Sequence, residues 1–189
     1  MVYVNENVDE LDLGQALARV SAQRREQALK FRHEKGQRLC LAAYLLLMEG
    51  LRNEYGINEP PVFDYSPEGK PCIAARPDIH FNLSHSGNVA LCAVSDQPVG
   101  ADVEVPRKIS PSLIDYTMNP EEQAEINASH DPARAFFRLW TQKEAFLKLT
   151  GKGIRNEMKN VLDDRDSYLI ETVETDTYIY SIAKARSLR

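Results

Sequence analysis

Cysteine is scarce and poorly placed for cross-linking: Cys40, Cys72 and Cys92 are an odd number at wide spacings, with no Cys-x-x-Cys pair. That argues against a disulfide framework and against a zinc site, and the three read as buried or half-buried thiols. Long apolar runs are missing as well, and Met1 to Glu10 lacks the basic-then-apolar order of a secretory leader. The expectation is a cytoplasmic protein with no membrane partner. A basic excess is also absent, since the net charge is −5. No general nucleic-acid footprint follows, and any polyanion must be met by a local patch. No internal repeat or low-complexity segment stands out, although two long apolar helices leave room for a diverged duplication.

What is present is material for one good-sized domain, or for two small subdomains sharing a core: 189 residues, 43% of them hydrophobic. The most informative stretch is Val99-Gly100-Ala101-Asp102-Val103-Glu104-Val105, whose period of two predicts a strand. Val99, Ala101, Val103 and Val105 take one face, and Gly100, Asp102 and Glu104 take the other. The two carboxylates stand about 6.6 Å apart at their Cα atoms, close enough to share a cation. Taken alone, the same pattern also fits a strand with one solvated face.

Ahead of it, Val2 to Val4 reads as a short strand, and Ser21 caps a polar helix running to about Phe31. Arg24, Arg25, Lys30, Arg32, Lys35 and Arg38 cluster there, interleaved with Glu26 and Glu34 as a largely solvated face. A core helix is predicted from Gly36 to Leu51. Arg38 lies in its first turn, where the helix dipole disfavours a cation and a nearby anion would explain it. An irregular segment rich in proline then carries Lys70 in a Gly-Lys-Pro turn. Ile79 to Leu83 and Val89 to Val94 read as a buried hairpin about the polar turn Ser84-His85-Ser86-Gly87-Asn88, a common way to hold a phosphate and equally an ordinary turn.

After Pro106 the chain loosens until Asn119-Pro120-Glu121-Glu122, a capping-box pattern that explains Glu122 locally. Asp131-Pro132 opens a second long helix to Thr150, closed by Gly151. Trp140, Glu144 and Lys148 are each four residues apart and share a face. Tyr168 to Val173 and Tyr178 to Ala183 read as a last strand pair. Asp102, Glu104 and Glu144 together are hard oxygen donors suited to Mg²⁺, or to Mn²⁺, and Lys148, Lys70, Arg38 and His85 are the cations to neutralise a diphosphate beside it.

Three blocks resemble the 4′-phosphopantetheinyl transferases of the Sfp type: Phe81-Asn82-Leu83-Ser84-His85-Ser86, Val99 to Glu104, and Trp140 to Lys148 followed by Gly151-Lys152-Gly153. Gly69-Lys70-Pro71 sits where a family lysine precedes the first block. The resemblance implies an α+β fold of two similar subdomains, 1–98 and 99–189, each a long helix on a small, mostly antiparallel sheet, with coenzyme A between them. It implies transfer of phosphopantetheine from coenzyme A to a serine of an apo acyl or peptidyl carrier protein, releasing adenosine 3′,5′-bisphosphate. Asp102, Glu104 and Glu144 would hold Mg²⁺. Lys148 and His85 would meet the diphosphate, while Arg38, Lys70 and Ser84 would meet the adenosine end. Glu144 is the preferred base and Glu122 the second choice.

Two departures stand out. Ala101 replaces a bulkier aliphatic, and the chain after Gly153 is short for the family, as if one hairpin were lost. The expected assembly is a monomer. Rival functions for the same residues are a Mg²⁺-dependent phosphohydrolase acting on coenzyme A and a non-catalytic module that binds coenzyme A or the carrier.

Overall fold

A computed structural model describes residues 1–151, 158–163 and 168–186. The fold is α+β, built from small antiparallel sheets, each beside a long helix. Strand β1 (Val2–Asn5) pairs with β5 (Val89–Ser95), which pairs with β4 (His80–Ser86). Helix α3 (Glu34–Tyr55) lies against this sheet. The interior faces of α3 and β5 explain the packing: Leu41, Tyr44, Leu47 and Leu51 meet Ala90, Cys92 and Val94 in one core cluster. Helices α1 (Leu13–Arg19) and α2 (Ala22–Leu29) cover the outer side of α3. A short hairpin, β2 (Phe63–Tyr65) with β3 (Pro71–Ile73), flanks the turn that carries Lys70.

The alternate residues of β5, on its other face, meet the second sheet. Val89, Leu91 and Ala93 pack on Val99, Ala101 and Val103 of β6 (Val99–Glu104). Strand β6 pairs with β8 (Ile179–Ala185), and β8 with β7 (Tyr168–Glu174). Thus β5 is buried on both faces, as its continuous apolar run implied. Helix α4 (Pro111–Thr117) and α5 (Pro120–Ala128) pack around the first half of α6 (Pro132–Thr150), whose second half lies along β6 and β8.

Gly100 sets how closely α6 approaches. A Cβ there would lie 1.9 Å from the Ala145 carbonyl oxygen and 2.4 Å from the Leu149 nitrogen. Only a residue without a side chain lets the helix backbone rest on the strand. The acidic face of β6 is therefore roofed by α6 and not solvated.

The second edge of β6 is closed in an unusual way. The N–H groups of Ala101 and Val103, and of Val105 just beyond the strand, donate to Asn82 Oδ1 (3.0 Å), Ser84 Oγ (3.2 Å) and Ser86 Oγ (3.3 Å). Alternate side chains of β4 thus do what a neighbouring strand's carbonyls would do, and no buried edge donor is stranded there. This corrects the expected turn over Ser84 to Asn88. Ser84, His85 and Ser86 belong to β4, and only Gly87 and Asn88 turn, with Gly87 at φ 59°.

Candidate active site

The site forms where these two arrangements meet. Helix α6 brings Glu144 and Lys148, one turn apart, over the face of β6 that carries Asp102. Lys148 Nζ donates to Asp102 Oδ1 at 2.6 Å and to Ser84 Oγ at 3.1 Å. Ser84 Oγ in turn donates to Asp102 Oδ1 at 2.8 Å. Two residues along, Ser86 Oγ donates to Glu104 Oε2 at 2.6 Å, and Arg107 Nη1 donates to the same oxygen at 2.7 Å. Each strand carboxylate thus has one oxygen held by a serine and a cation.

The remaining oxygens are what make the site chemically unbalanced. Asp102 Oδ2 and Glu144 Oε1 are buried with no hydrogen-bond partner, although a buried acceptor ordinarily has one. Burial raises the Asp102 pKa against the pull of Lys148 and Ser84. Burial, then the charge of Asp102, pushes Glu144 up to about 7, with Lys148 opposing. Two unpaired carboxylate oxygens and hard donors fit an oxygen-loving divalent cation. Among the described residues no three His, Cys, Asp or Glu side chains already converge as a metal cage. Mg²⁺ in particular binds through one or two carboxylates and completes its shell with water and substrate phosphates, so a preformed cage is not required.

Two adjoining cavities open on this point. One, of about 450 Å³, is walled by Arg24, Cys40, Phe63, His85, Asp102 and Lys148. The other, of about 340 Å³, is walled by Lys70, Asn82, Glu144, Leu147, Lys148 and Gly151. Lys148 belongs to both. His85 is exposed at its edge of β4, yet burial by the surrounding protein and the charges of Lys148 and Arg24 lower its pKa.

Comparison with known proteins shows the family. A family profile described as the 4′-phosphopantetheinyl transferase superfamily matches residues 98–186. A 4′-phosphopantetheinyl transferase of Bacillus subtilis is 34% identical over 159 residues, covering 81% of this chain and 70% of that protein. The chain belongs to the 4′-phosphopantetheinyl transferases, of the Sfp type. It is accordingly an enzyme of the transferase class. The transferase Sfp of B. subtilis strain 168 is 29% identical over 156 residues, with the same coverages of 81% and 70%. The HetI transferase of a Nostoc species is 36% identical over 154 residues, covering 77% and 65%.

In this phosphopantetheinyl transferase the residues anticipated from sequence do not all gather at one place. Ser84, His85, Asp102 and Lys148 wall the first cavity and Glu144 and Lys148 the second, while Glu104, two residues along β6 from Asp102, lines neither. Lys70 reaches the second cavity from the β2–β3 hairpin, but its ammonium donates to the carbonyls of Val99 (3.2 Å) and Leu149 (3.1 Å), and burial lowers its pKa. Arg38 stands apart: it donates to the Leu11 carbonyl and pairs with Glu34, and neither cavity has it in its wall. Ser84 is committed to Asp102 and β6.

Arg24 is the residue that the sequence reading underrated. It is only 8% exposed, lies over the rings of Tyr44 and Phe63 at 4.9 and 5.4 Å, and leaves its Nε unpaired. Its signal was faint, since in sequence it is one of six basic residues and only packing singles it out. Glu122 is held elsewhere, within its capping box, where Oε2 accepts from Asn119 N (2.8 Å) and from Lys143 Nζ (2.6 Å). Gly151 closes α6 as expected at φ 71°, while Lys152 and Gly153 lie outside the described residues.

Proposed function

We propose that this enzyme moves the phosphopantetheine group of coenzyme A to a serine hydroxyl of an apo acyl or peptidyl carrier protein, with Mg²⁺, releasing adenosine 3′,5′-bisphosphate. The observation that supports it most is the meeting of Asp102, Glu144 and Lys148 at the joint of two cavities, with two buried carboxylate oxygens unpaired. We take residues 1–98 and 99–189 as two related subdomains, with the coenzyme lying between them.

In this reading the first cavity receives the nucleotide end. Arg24, buried and with a free Nε, is the arginine we assign there in place of Arg38, with Lys70 approaching from the wall of the adjoining cavity. His85 and Lys148 face the diphosphate. Asp102, Glu104 and Glu144 would hold Mg²⁺, which supplies charge neutralisation on the diphosphate.

The chemistry then balances. The carrier serine oxygen forms a bond to the phosphorus next to the pantetheine, while the bond from that phosphorus to the bridging oxygen breaks. The bridging oxygen leaves with the electron pair on adenosine 3′,5′-bisphosphate, and the serine proton passes to Glu144. Glu144 Oε1, buried with no hydrogen-bond partner, is the free acceptor for that proton. Lys148, two bonds of its ammonium already directed at the site, stabilises charge as it develops on the phosphoryl oxygens.

The test is the intact mass of a purified apo carrier after incubation with the enzyme, coenzyme A and Mg²⁺, against an EDTA control. The expected result is a metal-dependent gain of one phosphopantetheine group, lost with Glu144→Gln and with Asp102→Ala. Coenzyme A consumed with no gain on any of several carriers would refute the transfer in favour of hydrolysis.

A further inference from the structure

Strands β4 and β6 present the same unit twice. Ser84 Oγ accepts from Val103 N (3.2 Å) and donates to Asp102 Oδ1 (2.8 Å). Ser86 Oγ accepts from Val105 N (3.3 Å) and donates to Glu104 Oε2 (2.6 Å). A hydroxyl has one proton to give. Here the backbone N–H fixes the oxygen, and the proton is left for the carboxylate.

Each carboxylate also receives a cation on the oxygen that the serine holds. Asp102 Oδ1 has Lys148, and Glu104 Oε2 has Arg107, whose guanidinium lies 4.8 Å over the Phe137 ring. The consequence is orientation. With one oxygen engaged, rotation of the carboxylate is blocked and the other oxygen is presented in a set direction. At Asp102 that other oxygen, Oδ2, is buried and unpaired.

We propose that Ser86 is a positioning residue for Glu104, orienting it as a cation ligand in the way that Ser84 orients Asp102. The inference rests on the reading of Asp102, Glu104 and Glu144 as the Mg²⁺ ligands. Outer partners of metal ligands commonly change affinity by roughly 10- to 100-fold when removed.

The experiment is a titration of the full chain with Mn²⁺ alone, followed by the paramagnetic resonance of free Mn²⁺, with no coenzyme and no turnover. Ser86→Ala and Ser86→Cys, the second close in size but a weak donor, are expected to weaken Mn²⁺ binding about tenfold or more. Ser86→Thr, which keeps the hydroxyl, is expected to stay within about threefold of the parent. The cysteine variant guards against loss of fold in the alanine variant, and urea unfolding of each verifies that the protein titrated is native. Asp102→Asn is the reference. If it weakens binding while Ser86→Ala and Ser86→Cys do not, the role of Ser86 is overturned and the ligand reading stands. Threonine as weak as alanine also overturns it, because the hydroxyl would then not be the group that matters. If Asp102→Asn leaves Mn²⁺ binding unchanged, the ligand reading itself fails and the inference with it.

Discussion

Glu144→Gln is expected to stabilise the metal-free protein at pH 8 and to leave it nearly unchanged at pH 4. The unfolded carboxyl titrates at 4.5, and the folded one at about 7, because of burial and the neighbouring Asp102 charge. Between those values the native state keeps a proton that the unfolded state has lost. Stability therefore falls as pH rises through this window, by about 1.4 kcal/mol per unit, and levels off above it. The full loss is about 3 kcal/mol. Glu144 is only 8% exposed, so solvent screening removes little of it. Glutamine has nearly the same shape and no charge to desolvate.

The assay is urea unfolding of parent and variant in EDTA at unit steps from pH 4 to pH 8. Titrating groups away from the site are common to both proteins, so the difference reports residue 144 together with its coupling to Asp102. A difference that is flat with pH, or a variant less stable than the parent at pH 8, would refute the reasoning. Excess Mg²⁺ extends the test. A cation bound at Glu144 stabilises the parent by mass action and offsets the electrostatic cost, so the variant's advantage at pH 8 should vanish. Equal stabilisation of both proteins by Mg²⁺ would remove Glu144 from the ligand set.

Gly100→Ala is expected to cost at least about 3 kcal/mol in urea unfolding, because the new Cβ meets helix backbone at 1.9 Å and not a movable side chain; an unchanged midpoint would contradict the close seating of α6 on β6. Lys143→Met is expected to cost about 3–5 kcal/mol by stranding the Glu122 carboxylate, and adding Glu122→Gln should recover much of that, since a neutral pair has no charge to desolvate. Thermal melts of the two single variants and the double variant test this, and additive losses would refute it.

Much of the fold was legible because it is written in short-range signals. Ser21, Asn119 and Asp131 all accept the backbone bonds expected of helix caps, and Gly151 takes the left-handed conformation that ends α6. The alternation of Val99 to Val105 gave a strand with Asp102 and Glu104 on one face, as found. Helices α1 and α4 were missed because seven residues carry too little periodicity. Each still had a cap, at Asp12 and at Ser110 with Pro111. The β2–β3 hairpin was hidden by prolines at both ends of three-residue strands. In the site, Glu144 and Lys148 follow from helical spacing, since four residues bring both onto the line of Trp140. Arg24, Arg107 and the engagement of Lys70 do not. Their roles depend on segments distant in sequence that meet only in the packed protein, as when Lys70 reaches the carbonyl of Leu149.

The two glutamates that sequence left competing for the base are separated by their surroundings. Glu122 and Glu144 are similarly buried, each 8% exposed. Glu122 spends one oxygen on a backbone N–H and a fully buried ammonium, Lys143. That ammonium also donates to the carbonyls of Thr117 (2.9 Å) and Met158 (2.8 Å), so it is locked in place between α4, α6 and the turn at 158–160. A proton arriving on Glu122 would break an ion pair and a helix cap at once. Glu144 lacks such a partner at Oε1, and its ionised form is already the costly one. Proton uptake there relieves the site, which is why we assign the base to Glu144 and a structural role to Glu122. The neighbours Lys143 and Glu144 thus divide the work of one helix turn. Lys143 anchors the helix to the elements behind it, and Glu144 is left facing the cavity with its charge unbalanced.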